Sequence, residues 1–410
     1  MTVSLSPSPL AGAIDAPLSK SYAHRLLIAA ALSGGSLSFG DSADARRTAV
    51  GLSELGFPAE FSGDFVRFGA FRKKEGTTLV HVGESGSTLR FLLPLAAAKG
   101  IDADFIAEGR LGSRPMGALV SALAKRGVTA SSLSTRGALT SGVFEIDATV
   151  SSQFVTGLLM ALPILKGDSE LRLVGELVSS PYVDITLEVL SQAGIEIEKK
   201  GRSFFIKGGQ TYALKSSRVQ GDFSGAAFFL AAGALGEGVC VRGLNLASAQ
   251  GDKAILSVLK SAGAIVREEG GSVTVRKGEL RAFTTSVEKI PDLAPILSVV
   301  AAFAKGESLL LNVARLKDTE SDRLFAIRDM LSKAKIRTEE EGDALRIFGG
   351  EPQGAAFDAF SDHRMAMSEA FLAAFAKQKS LINDGDCVKK SYAAFWRDYA
   401  SCGGKYEVER

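Results

Sequence analysis

Cysteine is scarce in this chain of 410 residues: there are three, and Cys240, Cys387 and Cys402 stand scattered, without the paired spacing of a zinc site or a disulfide framework. A reducing, cytoplasmic setting is expected. Histidine is as rare, and His24, His81 and His363 are far apart among unlike neighbours, so no metal site is expected. No apolar run approaches the roughly 20 residues of a membrane span, and no signal or transit segment is read at the N-terminus. Neither sign of charge dominates. A net charge of +2 gives no bulk basicity to attract nucleic acid or an anionic membrane. What is left is an ordinary globular composition, 46% apolar and 23% charged, at a length for which two domains are the default.

What the chain does have is a period. The stretch 18–35 runs Leu-Ser-Lys-Ser-Tyr-Ala-His-Arg into an apolar series, 26–32, closed by Gly34 and Gly35. Ser19 or Ser21 can cap a helix there and the two glycines can stop it. A helix apolar on every side is normally buried. Its first turn nevertheless carries Lys20 and Arg25, cations at the positive end of the helix dipole, which suits an anion site. Relatives of this helix begin near Ser85, Ser151, Ser224, Asp292 and Asp362, at intervals of about 65 to 72 residues. Amphipathic helices keep the same beat, ending near Gly56, Gly127, Gly194, Gly263, Ala334 and Gly403. Short hairpins follow several of them: 60–61 with 65–68, 195–197 with 204–206, 264–266 with 273–275, and Ile336 with 345–347. The unit is a buried helix, an amphipathic helix and several strands, repeated six times. That predicts an α/β fold with helices inside and sheets outside, three units per domain.

The chemistry-bearing residues cluster at the starts of the buried helices. Gly83 to Arg90 is rich in small residues whose backbone N–H groups can approach an anion, but it lacks the Lys-Ser/Thr of a P-loop. Arg110 and Arg114-Pro115 follow. Ser151, Ser152 and Gln153 offer three neutral hydrogen-bonding side chains that suit a phosphate or merely cap. Ser179 precedes Pro181-Tyr182. Asp222 and Gln250-Gly251-Asp252 read as acidic caps. Asp292 could complement the helix dipole or, desolvated near cations, take a proton. The run 315–323, with Glu320, Asp322 and Arg323, has the character of a solvated charged face. Asp362-His363-Arg364 and Lys389-Lys390 complete the set.

In order, Lys20-Ser21 with Arg25, Gly86 with Arg90, Arg114-Pro115, Ser151-Ser152-Gln153-Phe154, and Ser179 before Pro181-Tyr182 match one known pattern. So do Pro291-Asp292, Glu320-Ser321-Asp322-Arg323 and Asp362-His363-Arg364-Met365-Ala366-Met367. Through these motifs the chain resembles the 5-enolpyruvylshikimate-3-phosphate synthases over nearly its whole length. The resemblance implies a two-domain inside-out α/β barrel of six βαβαββ repeats, three per domain, with ligands in the cleft between. It places residues 20–218 on the shikimate 3-phosphate side, and 1–19 with 219–410 on the phosphoenolpyruvate side. It implies enolpyruvyl transfer to the 5-hydroxyl of shikimate 3-phosphate, by addition and elimination, on the route to aromatic amino acids.

The same resemblance assigns shikimate 3-phosphate to Lys20, Ser21, Arg25, Ser151, Ser152, Gln153, Ser179 and Asp292. It assigns phosphoenolpyruvate to Lys20, Gly86, Arg114, Gln153, Arg323, Arg364 and Lys390. Asp292 resembles the base for the hydroxyl, Glu320 the proton donor and acceptor at C3, and Lys20 the stabiliser of developing charge. No cofactor, no nucleic acid and no membrane are expected, and a monomer is. Glu84 stands where many relatives have Asn, Phe91 where a helix-start Pro is common, Thr319 where Lys is common, and Arg315 where Asn is frequent. Two alternatives are a UDP-N-acetylglucosamine enolpyruvyl transferase and a non-catalytic phosphosugar-binding relative. The first typically carries a Cys before the Arg-Pro pair, where this chain has Gly112-Ser113. The presence of both Asp292 and Glu320 weighs against the second.

Overall fold

Thirteen consecutive residues, Phe223–Leu235, form a helix in which every side chain is buried. Its sequence has no polar stripe to turn outward, so only complete enclosure by other elements can satisfy it. The Lys20–Ser33, Gly86–Ala98, Ser152–Ala161, Ala294–Phe303 and His363–Phe375 helices repeat this character. The computed structural model describes residues 1–409. The chain divides into two compact units, Lys20–Val219, and Met1–Ser19 with Gln220–Arg410. Each unit is an inside-out α/β barrel with three of the buried helices and three four-stranded sheets.

The sheets share one plan. Two parallel strands flank a buried helix, and an antiparallel pair extends the sheet. In the first unit Thr78–Gly83 pairs parallel with Ala103–Ala107 around Gly86–Ala98, and the hairpin Thr129–Ser131 with Ser134–Arg136 completes the sheet. Val143–Asp147 and Ser169–Val174 do the same around Ser152–Ala161. Strand side chains alternate, as in Val143–Asp147, where Phe144 and Ile146 are buried and their neighbours face out. Period-two patterning is what lets one sheet face cover a helix while the other meets water.

Where the chain passes between units, the plan is kept by exchange. Ala11–Asp15 precedes the Lys20–Ser33 helix but pairs with Gly238–Arg242. Ser216–Arg218 precedes the Phe223–Leu235 helix but pairs with Ser36–Ser38. The two crossings are tied side by side through a Leu18–Gly221 bridge and the bond from Ser19 N to Gln220 O at 2.8 Å.

Buried helices must also approach one another closely. A Cβ on Gly157 would sit 2.2 Å from the carbonyl oxygen of Arg90, so only glycine lets the Ser152–Ala161 and Gly86–Ala98 helices meet there. The sequence expectations shift in detail. The fourth helix begins at Phe223, one residue before Ser224, with Asp222 as its cap as the sequence suggests, whereas Asp292 lies in a 3-10 turn ahead of Ala294–Phe303. Ile336 packs in the core, while the strand that pairs with Ala344–Phe348 is Thr338–Glu341. The hairpin strand expected at 195–197 is Ile197–Lys200.

Candidate active site

In the unit Lys20–Val219, the N-terminal ends of the three buried helices gather the cations. Arg25 is 2% exposed, yet its partners are all neutral. Nε donates to Thr186 Oγ1 at 2.8 Å, NH1 to Ser21 O at 2.6 Å, and NH2 to Tyr182 O at 2.8 Å and Thr156 Oγ1 at 3.3 Å. Its guanidinium lies over the Phe91 ring, 5.1 Å from the centroid. Burial with no compensating carboxylate pushes Arg25 down to about 10. Arg90 is buried in the same way. It donates to Gln153 Oε1 at 2.5 Å and Pro115 O at 3.2 Å, and burial with Arg114 nearby pushes it down to about 9. A buried cation among neutral donors and acceptors is costly unless an anion arrives.

The neighbouring residues are locked around these arginines. Ser151 caps the Ser152–Ala161 helix through Gln153 N, and Gln153 Nε2 donates to Ser87 Oγ at 3.1 Å. Gly86 is packed so tightly that a Cβ would stand 2.8 Å from Arg114 NH1. Ser179 has a left-handed backbone, φ 49°, just before the Pro181–Gln192 helix to which Arg25 is bonded. Lys20 Nζ is held by Asp44 Oδ2 at 3.0 Å. One turn further on, His24 bonds Thr48 Oγ1 at 2.6 Å, Thr48 bonds Thr88 at 2.6 Å, and Thr88 Oγ1 donates to Ser85 Oγ at 2.8 Å. Burial, with Lys20 and Arg25 nearby, keeps His24 well below its ordinary value and therefore neutral.

In the other unit the arginines are bracketed by carboxylates. Arg323 Nε reaches Asp362 Oδ2 at 2.7 Å and its NH1 reaches Asp292 Oδ1 at 2.7 Å. Arg364 NH2 reaches Asp292 Oδ2 at 3.1 Å. Burial works against the Arg323 charge, but Asp362 and Asp292 outweigh it and hold its proton more firmly than usual. Asp362 also accepts from Arg364 N and Ser321 Oγ, so one carboxylate caps the helix and anchors both motifs. Two left-handed residues, Phe360 (φ 52°) and Ser361 (φ 54°), set up this cap. Glu320 Oε2 lies 3.0 Å from His363 Nδ1 and 3.4 Å from Lys390 Nζ.

Among the sequence-derived candidates, Lys20, Ser21, Arg25, Gly86, Arg114, Ser151, Ser152, Gln153 and Ser179 thus belong to one unit. Asp292, Glu320, Arg323, Arg364 and Lys390 belong to the other. Arg110 and Lys389 are exposed. Lys317 is half exposed and pairs with Glu340 at 3.5 Å, while Arg315 is half-buried near Glu288 and Asp318. Two readings change. Arg323 is not on a solvated face but fully buried, because Asp362 and Asp292 supply its counter-charge. Asp252 is not a cap: it accepts a short hydrogen bond from Ser224 Oγ, and burial, with Asp292 nearby, pushes it up to about 7. Glu320, Asp362 and His363 bring possible ligand atoms within 4.8 Å of one another. Lys390 and Arg323 already face those carboxylates, which disfavours a divalent cation there. No local pattern marks Asp44 or the His24–Thr48–Thr88 chain, since their partners lie 24 to 44 residues away, and the same distance hides the pairing of Asp362 with Arg323.

Helix N-termini with buried arginines in one unit, and paired arginines beside acid–base groups in the other, are the equipment of a group-transfer enzyme for anionic substrates. The model of the family EPSP synthase (3-phosphoshikimate 1-carboxyvinyltransferase) matches residues 5–399. A 3-phosphoshikimate 1-carboxyvinyltransferase of Clostridium kluyveri is 38% identical, covering 99% of this chain and 98% of that relative. One from Clostridium perfringens is 37% identical, covering 98% of each. An EPSP synthase structure from Acinetobacter baumannii superposes with a TM-score of 0.82 at 22% identity, covering 100% of both chains. The enolpyruvyl transferase NikO from Streptomyces tendae gives 0.77 at 19% identity, covering 99% and 98%, a likeness of fold. The chain belongs to the EPSP synthase family. It is an enolpyruvyl transferase acting on shikimate 3-phosphate and phosphoenolpyruvate, in the shikimate pathway to aromatic amino acids. Among the described residues no helix is long and apolar enough to cross a membrane.

Proposed function

We propose that this chain performs the transfer with the residues named above. The observation that carries the reading is the pair of buried arginines, Arg25 and Arg90, whose partners are all neutral. Shikimate 3-phosphate is held by the unit spanning 20–218 through Lys20, Ser21, Arg25, Ser151, Ser152, Gln153 and Ser179, with Asp292 reaching its 5-hydroxyl. Phosphoenolpyruvate is bound mainly by the unit of 1–19 and 219–410, through Arg323, Arg364 and Lys390, together with Lys20, Gly86, Arg114 and Gln153. Fork-shaped guanidiniums suit the carboxylate and phosphate of the donor.

In the addition step Glu320 gives a proton to C3 of phosphoenolpyruvate, and the 5-hydroxyl oxygen bonds to C2 while Asp292 takes the hydroxyl proton. A tetrahedral adduct results. In the elimination step C3 returns a proton to Glu320, the double bond re-forms, the bond from C2 to the phosphate oxygen breaks with its electron pair leaving on phosphate, and the proton held by Asp292 passes to the departing phosphate. Lys20 stabilises charge on the reacting groups, and Asp44 fixes where its ammonium sits. Glu320 sits between His363 and Lys390, which gives it neighbours for either protonation state.

The protein acts as a monomer in the cytoplasm. Unpaired Cys240, Cys387 and Cys402 support a reducing compartment, and the exposed large apolar side chains, such as Phe61, Leu79, Phe205 and Phe325, are spread over separate elements. Phosphate release with shikimate 3-phosphate, set against UDP-N-acetylglucosamine as acceptor, tests the assignment. Release with the second acceptor alone would overturn it.

A further inference from the structure

Within the unit Lys20–Val219, four polar side chains form one line through the interior: His24, Thr48, Thr88 and Ser85, each at most 1% exposed. Their donors can be assigned in order. The hydroxyl of Thr88 is angled to donate to Ser85 Oγ at 2.8 Å, with the carbonyl of Asp44 as a more distant acceptor at 3.5 Å. Either way its only proton is spent, so at the 2.6 Å contact between Thr48 and Thr88 it is Thr48 that donates. Thr48 then has no proton left for His24, and the 2.6 Å contact with Nδ1 requires an N–H on the ring side. The other tautomer would set two lone pairs against each other at that distance. His24 Nε2 is left as a bare, buried acceptor with no hydrogen-bond partner among the described residues. The ring stands edge-on to Phe91, with centroids 6.2 Å apart and planes at 90°. Tautomer and ring orientation are thus both fixed.

A polar line kept this dry is costly beside apolar packing of the same volume, so its value lies in the direction it imposes. Both ends lead to residues assigned to phosphoenolpyruvate. Thr48 lies one turn beyond Asp44 on the Ala43–Glu54 helix, and Asp44 Oδ2 holds Lys20 Nζ at 3.0 Å. Ser85 caps the Gly86–Ala98 helix, accepting from Thr88 N at 3.3 Å, so whatever sets Ser85 also sets Gly86. We propose that His24, Thr48 and Thr88 form a one-way positioning relay, running from the Nδ1–H tautomer of His24 to the cap at Ser85, which sets Lys20 and Gly86 for phosphoenolpyruvate. The proposal rests on the roles given above to Lys20 and Gly86. The three residues act through Asp44 and Ser85, not on the substrates. Because each hydroxyl accepts one bond and gives the next, breaking any link loosens the whole line.

The test is steady-state kinetics of the full chain carrying Thr48→Val, which keeps the branched shape but removes the hydroxyl. Its kcat/KM for phosphoenolpyruvate should fall by about tenfold to 10²-fold, the cost of a small misplacement of groups that must meet the donor. Calorimetric binding of shikimate 3-phosphate should hold, since Ser21, Arg25, Ser151 and Ser152 have no hydrogen bond to the relay hydroxyls. Thr48→Ser restores the hydroxyl and should recover most of the loss. Thr88→Val should cost as much as Thr48→Val, and the double variant no more than either, because one relay is broken once. In the wild type, nitrogen NMR of the labelled imidazole should report a proton on Nδ1 of His24 and none on Nε2. Unchanged kcat/KM in Thr48→Val, no recovery in Thr48→Ser, losses that multiply in the double variant, or a proton on Nε2 each overturns the proposal. If the variants do not fold, the wild-type tautomer decides. Wild-type phosphate release with Thr48→Val as active as wild type sinks only this inference. Absence of wild-type phosphate release sinks the reading instead, and the tautomer then decides the relay by itself.

Discussion

The carboxylate of Asp362 takes the Nε–H of Arg323 at 2.7 Å, with Asp362 wholly buried and Arg323 2% exposed. Neither charge can be solvated if the other is removed. Asp362 receives two further bonds, from Ser321 Oγ at 3.0 Å and Arg364 N at 2.9 Å, so its loss also uncaps the His363–Phe375 helix. Asp362→Ala is therefore expected to destabilise the protein by about 3–5 kcal/mol, the range for breaking a buried ion pair. Denaturant unfolding measures it, and a loss below about 1 kcal/mol would mean that water reaches Arg323 readily.

Glu320 gives a sharper test of chemistry. Glu320→Gln keeps size and hydrogen bonding beside His363 and Lys390 but cannot carry a proton to C3. Turnover should fall by roughly 10²-fold or more, with little change in binding of shikimate 3-phosphate. Near wild-type turnover would make Glu320 only a member of its charged run.

How much of this was legible beforehand follows from the range of each interaction. The six buried helices stand out in sequence because an all-apolar helix carries its own instruction to be covered, and Phe223–Leu235 needs no partner to be recognised. Ser85, Ser151 and Asp362 mark their helix starts because capping is local, satisfied within three residues. The burial of Arg323 is hidden in the sequence for the opposite reason, although the resemblance already assigns that residue to phosphoenolpyruvate. Its immediate neighbours are Glu320 and Asp322, which look like a solvated run, but its buried counter-ion is 39 residues further on. Asp252 likewise looks like a cap until the fold brings it to Ser224. The strand exchange at the crossings is also non-local, since Ala11–Asp15 pairs with residues more than 220 positions away.

Gly86 is the position where a single methyl group should matter most. A Cβ there would stand 2.8 Å from Arg114 NH1 and 3.1 Å from Arg90 NH1, so both guanidiniums must give way. Overpacking of this kind costs about 1–3 kcal/mol, and here it falls on the proposed phosphoenolpyruvate contacts. Gly86→Ala should raise KM for phosphoenolpyruvate by about tenfold while shikimate 3-phosphate binding holds, as steady-state kinetics and calorimetry would show. Equal losses for both substrates would point to a general collapse of the helix start.

The grouping of Glu320, Asp362 and His363 yields a simple control. With Arg323 and Lys390 already opposite the carboxylates, a divalent cation would have to displace fixed positive charge to enter. Phosphate release should be indifferent to a chelator. Loss that a divalent metal restores would show that this group binds an ion.

The last expectation concerns acid stability. His24 is 1% exposed, bonded to Thr48 at 2.6 Å, and held neutral by burial, with Lys20 and Arg25 adding repulsion. Its ordinary value is 6.5, and in the folded chain it lies well below that. Above 6.5 neither the folded nor the unfolded state binds the proton, so His24 has no effect on stability there. Below it the unfolded chain takes up a proton that the folded chain refuses, and stability falls as pH falls, levelling only once the folded value is reached. The slope for one such group is about 1.4 kcal/mol per pH unit. His24→Gln offers an amide to Thr48 and does not titrate, so its unfolding free energy should lose this contribution to the slope between pH 6 and 5. Parallel pH profiles for wild type and His24→Gln would mean that His24 becomes protonated inside the fold.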